Sequence, residues 1–367
     1  MKLQILMVSA EYPPQLSGIA DYVGHLVGSL KSQGLDLAIT QNITCWDQKA
    51  WPLICSQIEN FKPHILHLQY MTTAFQNRIF ITFLPGKIKS SFSALPVVTT
   101  YHEFAAPVKR AALLPLLLGS DAHIVTNDHH FRWLQRLKRI LFLKSPAVRI
   151  PLAANVLPGE FPADRESVRR GLGIKPGETL LVRFGILHDI SAPSILCMLN
   201  VLRRLREQGK SVKLLLIGKK EERAGEKISE SISSNRVSDA VMVKANLQPA
   251  EISRLLFASD IGLALYPDGV SEKRTALLSL LAHGLPVIGT RKGMLPSEFR
   301  DEENILCVPA EADEESWGRA IQRLLSDDIL CHRLSAGAGQ IARLHDWNEI
   351  GRQTSDLYHK LMRKDPR

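Results

Sequence analysis

Short apolar runs alternate with longer amphipathic stretches along most of the chain. Runs of this length suit strands covered on both faces, so the alternation predicts parallel β-sheet with helical crossovers. In the first half the strand candidates are 3–9, 36–40, 64–68, 96–100, 122–126 and 148–151, with helices over 19–33 and 107–118. A stretch marked by proline and glycine, Pro158 to Gly177, reads as a linker with a short helix from Arg165 to Leu172. The alternation then restarts. Strands are expected at 179–185, 212–217, 240–243, 261–265, 286–289 and 305–308, and helices at 193–208, 249–258, 273–283, 314–325 and 346–362. No repeat of 20–50 residues exists, which excludes a solenoid.

Composition narrows the class. The 367 residues are 45% hydrophobic and 23% charged, ordinary for a globular enzyme of two domains. Net charge is +9, and it is uneven: residues 1–155 hold 15 Lys and Arg against 8 Asp and Glu. A basic half suits an anionic membrane surface or a phosphorylated partner. Residues 131–143 concentrate it, with Trp133, Leu134, Leu137, Ile140 and Leu141 on one helical face and Arg132, Arg136 and Arg139 on another. Core packing and docking on anionic lipid both fit that pattern. Phe75, Ile79, Phe80 and Phe83 form a second apolar face, expected in the core. The cysteines (Cys45, Cys55, Cys197, Cys307 and Cys331) are odd in number and form no C-x-x-C pair, so reduced thiols in the cytoplasm are expected. No window is apolar enough to span a bilayer, and the N-terminal run reads as a first strand rather than a secretory signal.

Two segments carry phosphate chemistry. Glu11-Tyr12-Pro13-Pro14-Gln15-Leu16-Ser17-Gly18-Ile19 follows the first strand, and its helix N-terminus would offer N–H donors and a positive dipole end to an anion. Far downstream, Ser271-Glu272-Lys273-Arg274-Thr275 opens a helix that runs to Ala282-His283-Gly284-Leu285-Pro286-Val287-Ile288-Gly289-Thr290. Cations at a helix start oppose the dipole, so Lys273 and Arg274 point to a bound diphosphate between them, with hydroxyls from Thr275 and Ser279. Two strand–turn–helix units of this kind predict an α/β protein of two Rossmann-like halves facing across a cleft. Gly185 and Gly218 follow the first two strands of the second half, and Lys219 and Lys220 come next, with Glu221 and Glu222 placed to pair with them. His188 and Asp189 are weaker candidates in the first of these turns. His102 closes an apolar strand, which puts it at the carboxyl edge where ligands of open sheets collect.

The segment Glu11-x-Pro-Pro with Ser17-Gly18-Ile19-Ala20-Asp21-Tyr22 resembles the opening loop of glycosyltransferase family 4, nucleotide-sugar enzymes of the GT-B fold. Leu66-His67-Leu68-Gln69-Tyr70, Thr99-Thr100-Tyr101-His102-Glu103, Leu285-Pro286-Val287-Ile288 and His345-Asp346-Trp347 with Tyr358 are similar to further family segments, in the family's order. The resemblance implies an acceptor domain over 1–160, a donor domain over 161–347, and a helix over 348–367 that crosses back to the first domain. It implies a retaining, metal-independent transferase with no cofactor, a nucleotide diphosphate-sugar donor and a glycan or lipid-linked acceptor in surface-glycan assembly. His102, Lys273 and Arg274 take the catalytic positions. Ser17, Gly18, Gly185, Gly218, Lys219, Ser271, Glu272, Thr275 and Ser279 take the donor side, and Gln69, Tyr70 and Glu103 the acceptor side.

The chain departs from the family in its second half. Ile186 and Ser191 stand where the family places an Arg and a Lys, and Ser271 and Ser279 where it places two glutamates. A GT-B protein that has lost transfer and serves as a binding subunit is the alternative. A dinucleotide oxidoreductase is disfavoured because no G-x-G-x-x-G follows the first strand, and no nucleic-acid module is present.

Overall fold

Six strands build the first sheet: β1 (Gln4–Val8), β2 (Asp36–Ile39), β3 (Ile65–Tyr70), β4 (Val97–Tyr101), β5 (Ala122–Val125) and β6 (Ala147–Arg149). The structure, a computed structural model, describes residues 2–15, 17–102, 113–159 and 164–363. The strand order is β2-β1-β3-β4-β5-β6, all parallel, with Ile5 of β1 level with Leu37 on one side and Ile65 on the other. Every residue of β3 and β4 is buried, as expected of strands covered by helices on both faces. His67, Gln69, Thr99 and Thr100 are therefore polar groups inside the sheet and must find partners there.

The helices of this unit are α1 (Gly18–Ser32), α2 (Ala50–Phe61), α3 (Phe80–Ser91), α4 (Leu114–Gly119) and α5 (Asp128–Ile140). Ser17 caps α1 by accepting from Ala20 N–H at 3.1 Å, Asp21 sits in its first turn, and Lys31 in its last. Residues of α2, α3, α4 and α5 share one hydrophobic cluster with Leu6, Leu66 and Val97, so these four helices cover one face of the sheet. The sequence pattern identifies α1 and α5 but misses α2, where the apolar positions Ile54 and Ile58 lie among exposed polar ones. Of the face assigned to the core, Phe75 and Phe80 are buried, whereas Ile79 and Phe83 lie open to solvent.

The second sheet consists of β7 (Thr179–Phe184), β8 (Val212–Gly218), β9 (Val241–Ala245), β10 (Ile261–Ala264), β11 (Val287–Arg291) and β12 (Leu306–Pro309), in the order β12-β11-β10-β7-β8-β9 and again all parallel. Its helices are α6 (Arg165–Gly171), α7 (Ala192–Glu207), α8 (Glu222–Ser234), α9 (Pro249–Ala258), α10 (Thr275–Ala282), α11 (Glu314–Ser326) and α12 (Asp328–Leu344). This is the Rossmann strand order, in which the chain reverses direction between β7 and β10. Gly284, at φ +71°, ends α10 and leads into the start of β11. The Ala282–Thr290 segment is thus a turn at the amino edge of the sheet, not a phosphate-facing one. Glycine serves there to terminate a helix.

The chain packs as two compact units, 1–152 with 346–367 and 153–345. The boundary expected at 160/161 falls outside the described residues. The last helix, α13 (Trp347–Arg363), lies on α1. Ser29 Oγ donates to the Trp347 carbonyl at 2.7 Å, and a Cβ placed on Gly351 would meet that Oγ at 2.1 Å, so α13 seats closely because position 351 lacks a side chain.

Candidate active site

Two clusters of functional side chains sit at the carboxyl edges of the two sheets, one in each unit. In the first unit the β1–α1 loop is braced from within. Ser17 donates to the Glu11 carboxylate, Ser9 Oγ donates to the Glu11 carbonyl at 2.7 Å, and Pro13 rests against α1 where Gly24 leaves room. The Ser17 hydroxyl therefore caps the helix and bonds to Glu11, while Gly18 begins α1 in an exposed position. The anion-facing role expected of this serine shifts to the backbone.

His102 follows β4 directly, half-buried, with its backbone N–H donating to Tyr70 O at 3.0 Å. Its Nε2 lies 2.8 Å from Gln69 Oε1, and its ring meets the Tyr22 ring edge-on at 4.6 Å. Burial lowers the His102 pKa to about 3, so the ring is neutral at physiological pH. Gln69 and Tyr70, expected on the acceptor side, are both buried. Gln69 is wholly enclosed and turned toward His67 and His102, while Tyr70 belongs to the hydrophobic core and meets Tyr101. The inward alternation of β3 decides this: its side chains point into packed layers on both faces. Glu103 lies outside the described residues.

In the second unit three loops meet at the centre of the sheet edge. After β7, Gly185 adopts φ +133°, and after β8, Gly218 adopts φ +155°. A Cβ on Gly218 would lie 2.0 Å from the Gly185 carbonyl oxygen, and one on Gly185 would touch Ala276 in the first turn of α10. Glycine is thus required at 218 by both conformation and proximity. The junction stands at the β7/β10 reversal, where ligands of such sheets bind.

Arg274 is the N-cap residue of α10, and Lys273 precedes it, exposed. The Arg274 guanidinium stacks on the Tyr266 ring at 4.8 Å and pairs with the Asp268 carboxylate. Lys273 has no ion pair among the described residues, and desolvation of its ammonium lowers its pKa, with Arg274 adding to the shift and Glu272 opposing it. Glu272 is buried beside it, Ser271 closes the turn by accepting from Arg274 N–H at 3.1 Å, and Thr275 opens the helix. Lys219 is exposed, and neither it nor Lys220 pairs with Glu221 or Glu222 among the described residues. Lys220 instead lies across Gly225 at the start of α8.

Ser279 is placed elsewhere. Its hydroxyl is fully buried, donates to Thr275 O at 2.8 Å and accepts from Val156 N–H at 3.2 Å, so it fastens α10 to the segment entering the unit and takes no part in the edge. Of the two positions that depart from the family, Ile186 is half-exposed, and Ser191 is buried, donating to Ile186 O at 3.1 Å and His188 O at 2.9 Å. Sequence reasoning misses Arg183, Tyr266 and Asp268. Arg183 is 4% exposed and donates to the carbonyls of Gly185 and of Ile186 (2.9 Å for the latter), which holds the glycine turn in shape. Burial draws its pKa down to about 10, so it stays cationic. The signal for it is present in β7: an arginine in an otherwise apolar strand. No group of three or more His, Cys, Asp or Glu among the described residues is arranged to hold a metal ion.

Comparison with known proteins bears on both clusters. Residues 179–327 match the family described as "Glycosyl transferases group 1". A D-inositol 3-phosphate glycosyltransferase of Nocardioides is 24% identical over 212 residues, 54% of this chain and 45% of that protein. The chain thus spans about half the length of the curated relatives it matches. In fold, sucrose-phosphate synthase from Thermosynechococcus elongatus superposes with a TM-score of 0.73 at 16% identity, covering 99% of this chain and all of that one. Anabaena HepE, solved with UDP and glucose, superposes at 0.72 with 14% identity, covering 98% of this chain and all of that one.

Proposed function

Taking as premise that the chain belongs to the group 1 glycosyltransferases and has their GT-B fold, we propose that it moves a sugar from a nucleoside diphosphate donor to an acceptor hydroxyl. The donor diphosphate lies at the β7/β10 edge, and fixed cations of the protein face the leaving group. Stereochemistry is retained, with the acceptor hydroxyl attacking from the side the diphosphate leaves. The observation that carries this reading is the junction of Gly185, Gly218 and the α10 N-terminus, with Lys273 and Arg274 at its rim. A departing diphosphate gains negative charge in the transition state, and preorganised cations and N–H donors stabilise it most there. Arg274 is held by Tyr266 and Asp268 before any ligand arrives, so little ordering is needed on binding.

The exposed Ile186 and the internally bonded Ser191 favour a second reading, a GT-B subunit that no longer transfers. Thermal melts with UDP, GDP and ADP separate the two. At saturating nucleotide a binder should gain on the order of 5–10 °C. Loss of that gain in Lys273→Ala/Arg274→Ala locates the diphosphate at α10. No shift with any nucleotide overturns the donor reading, and an undiminished shift in the double variant moves the site elsewhere.

The acceptor belongs to the first unit in this reading. A depression of about 930 Å³ at the β1 and β2 ends is lined by Tyr12, Gln15, Gln41, Asn42, Trp46 and Gln57. Amides beside aromatic rings suit sugar hydroxyls and sugar faces. The helical face of the same unit presents Phe142 at 89% exposure, Ile140 at 70% and Ile79 at 65%, with Arg132, Arg136, Arg139 and Lys144 exposed near the first two. Apolar and basic groups together suit an anionic bilayer, which supports a lipid-linked acceptor at the membrane surface. No helix among the described residues is long and apolar enough to cross a membrane. Flotation with vesicles containing anionic lipid should fall several-fold for Ile140→Asp/Phe142→Asp, and equal flotation of that variant removes the lipid surface from the proposal.

A further inference from the structure

A relay of buried polar side chains crosses the first unit from α13 to the end of β4. Tyr358 Oη lies 2.6 Å from His67 Nδ1, and Thr100 Oγ1 lies 2.7 Å from His67 Nε2. Gln69 Nε2 is 3.2 Å from the same His67 Nε2, and Gln69 Oε1 is 2.8 Å from His102 Nε2. Tyr358, His67, Gln69 and Thr100 are each at least 98% buried. Water is absent from such a place as a partner, so each polar atom must be satisfied within the relay.

The chemistry of the amide orders the protons. An amide oxygen only accepts and an amide nitrogen only donates. With its oxygen toward His102, Gln69 requires a proton on His102 Nε2. With its nitrogen toward His67, it requires a bare His67 Nε2, which the Thr100 hydroxyl also reaches. The His67 proton then sits on Nδ1 and is donated to Tyr358. The Gln69 nitrogen has a further soft contact, 3.8 Å to the Met7 sulfur, consistent with this orientation. His102 is left with its Nδ1 lone pair unengaged among the described residues. The titratable groups facing the His102 ring are Tyr22 of α1 and His67 of β3, and burial keeps both neutral around physiological pH.

We infer that Gln69, His67 and Tyr358 are positioning residues that lock His102 in its Nε2–H form, so that Nδ1 accepts a hydrogen bond from a sugar hydroxyl. The inference rests on the transferase reading for its ligand, but the lock itself belongs to the folded protein. A neutral ring with an open lone pair repels phosphate oxygens and attracts O–H donors. His102 therefore reads a hydroxyl of the transferred sugar or of the acceptor, and the diphosphate is left to the cations of the second unit. It also makes α13, far along the chain, part of the apparatus that orients a side chain on β4.

Long-range proton–nitrogen correlation spectra of the full chain labelled with ¹⁵N-histidine test the lock, with His102 assigned by its loss in His102→Asn. The expected result is a His102 signal pattern of pure Nε2–H tautomer, constant from pH 5.5 to 8. In folded Gln69→Ala the pattern should collapse to a mixture of tautomers, and Tyr358→Phe should move it in the same direction by less. Turnover of UDP-glucose in Gln69→Ala should lose about tenfold to a hundredfold in kcat with little change in donor KM. A wild-type spectrum showing Nδ1–H overturns the inference even if no variant folds. So does a folded Gln69→Ala that keeps the pure Nε2–H pattern. A fixed tautomer in a protein that turns over no nucleotide sugar instead overturns the ligand assignment while the lock stands. A mixed tautomer in an active enzyme sinks the lock alone.

Discussion

The carboxyl edges of the two sheets solve opposite problems. In the first unit the edge is neutral and internally satisfied: His67, Gln69, Thr100, Tyr358 and His102 hydrogen-bond one another in a dry interior. In the second unit it is cationic and partly open, with Arg183 buried under the turn and Lys219, Lys273 and Arg274 toward solvent. Buried neutral networks define the direction of one group, whereas exposed cations retain the freedom to meet a diffuse charge. The contrast teaches where precision resides. A sugar hydroxyl needs a directed acceptor, and a diphosphate needs concentrated positive charge.

Acid should break the comparison most strongly, because the two edges titrate differently. His67, His102 and His123 in the first unit have their pKa values lowered to about 3 by burial. Unfolded histidines titrate near 6.5, so the unfolded state binds more protons between those limits. The stability these neutral rings contribute is complete above about pH 6.5 and is lost as pH falls toward 3. By pH 5 the first unit should lose on the order of 5 kcal/mol. His283 is the comparable lowered group of the second unit. Calorimetry from pH 7 to pH 4.5 should resolve an early transition from the first unit, and co-melting of both units at every pH contradicts this.

The reverse perturbation strikes the second edge. Gly218→Ala forces a Cβ to within 2.0 Å of the Gly185 carbonyl at a φ hostile to side chains. A cost of about 3 kcal/mol or more is expected, with a lower melt and no nucleotide shift. A variant with wild-type stability means the two loops stand farther apart than described.

Smaller changes sharpen the picture. Gly351→Ala crowds Ser29 Oγ, which can rotate, so about 1–2 kcal/mol is expected, read as faster proteolysis of α13. Intact protection of that helix argues against close seating. Asp268→Ala removes an exposed partner of Arg274 and should change stability by about 0.5 kcal/mol or less. Its UDP-induced thermal shift should equal or exceed that of the unaltered protein, since a competing carboxylate is gone. A diminished shift shows instead that Asp268 orients the guanidinium rather than competing for it.

Much of the fold was legible along the chain. All twelve strands lie within two residues of the positions expected from apolar runs, because strands buried on both faces leave no polar position to blur the signal. The turns with Gly185 and Gly218 and the helix start at Arg274 were legible for the same local reason: their backbone demands particular residues. What failed was the orientation of side chains. Ser279 and Gln69 carry the right chemistry at the right spacing, yet both are consumed inside the protein. Arg183 was passed over because its value lies in two carbonyls brought under it by a turn.

The sequence by itself determined the order and kind of the elements, the two-unit plan and the loops that need glycine, because these follow from local sterics and the periodic burial of apolar groups. Only the tertiary structure decided that Tyr358, 291 positions from His67, completes a proton-ordering relay, and that Arg274 is steadied by Tyr266 and Asp268. Hydrogen-bond direction and desolvation depend on what lies a few ångströms away in space. No spacing along a chain encodes that distance.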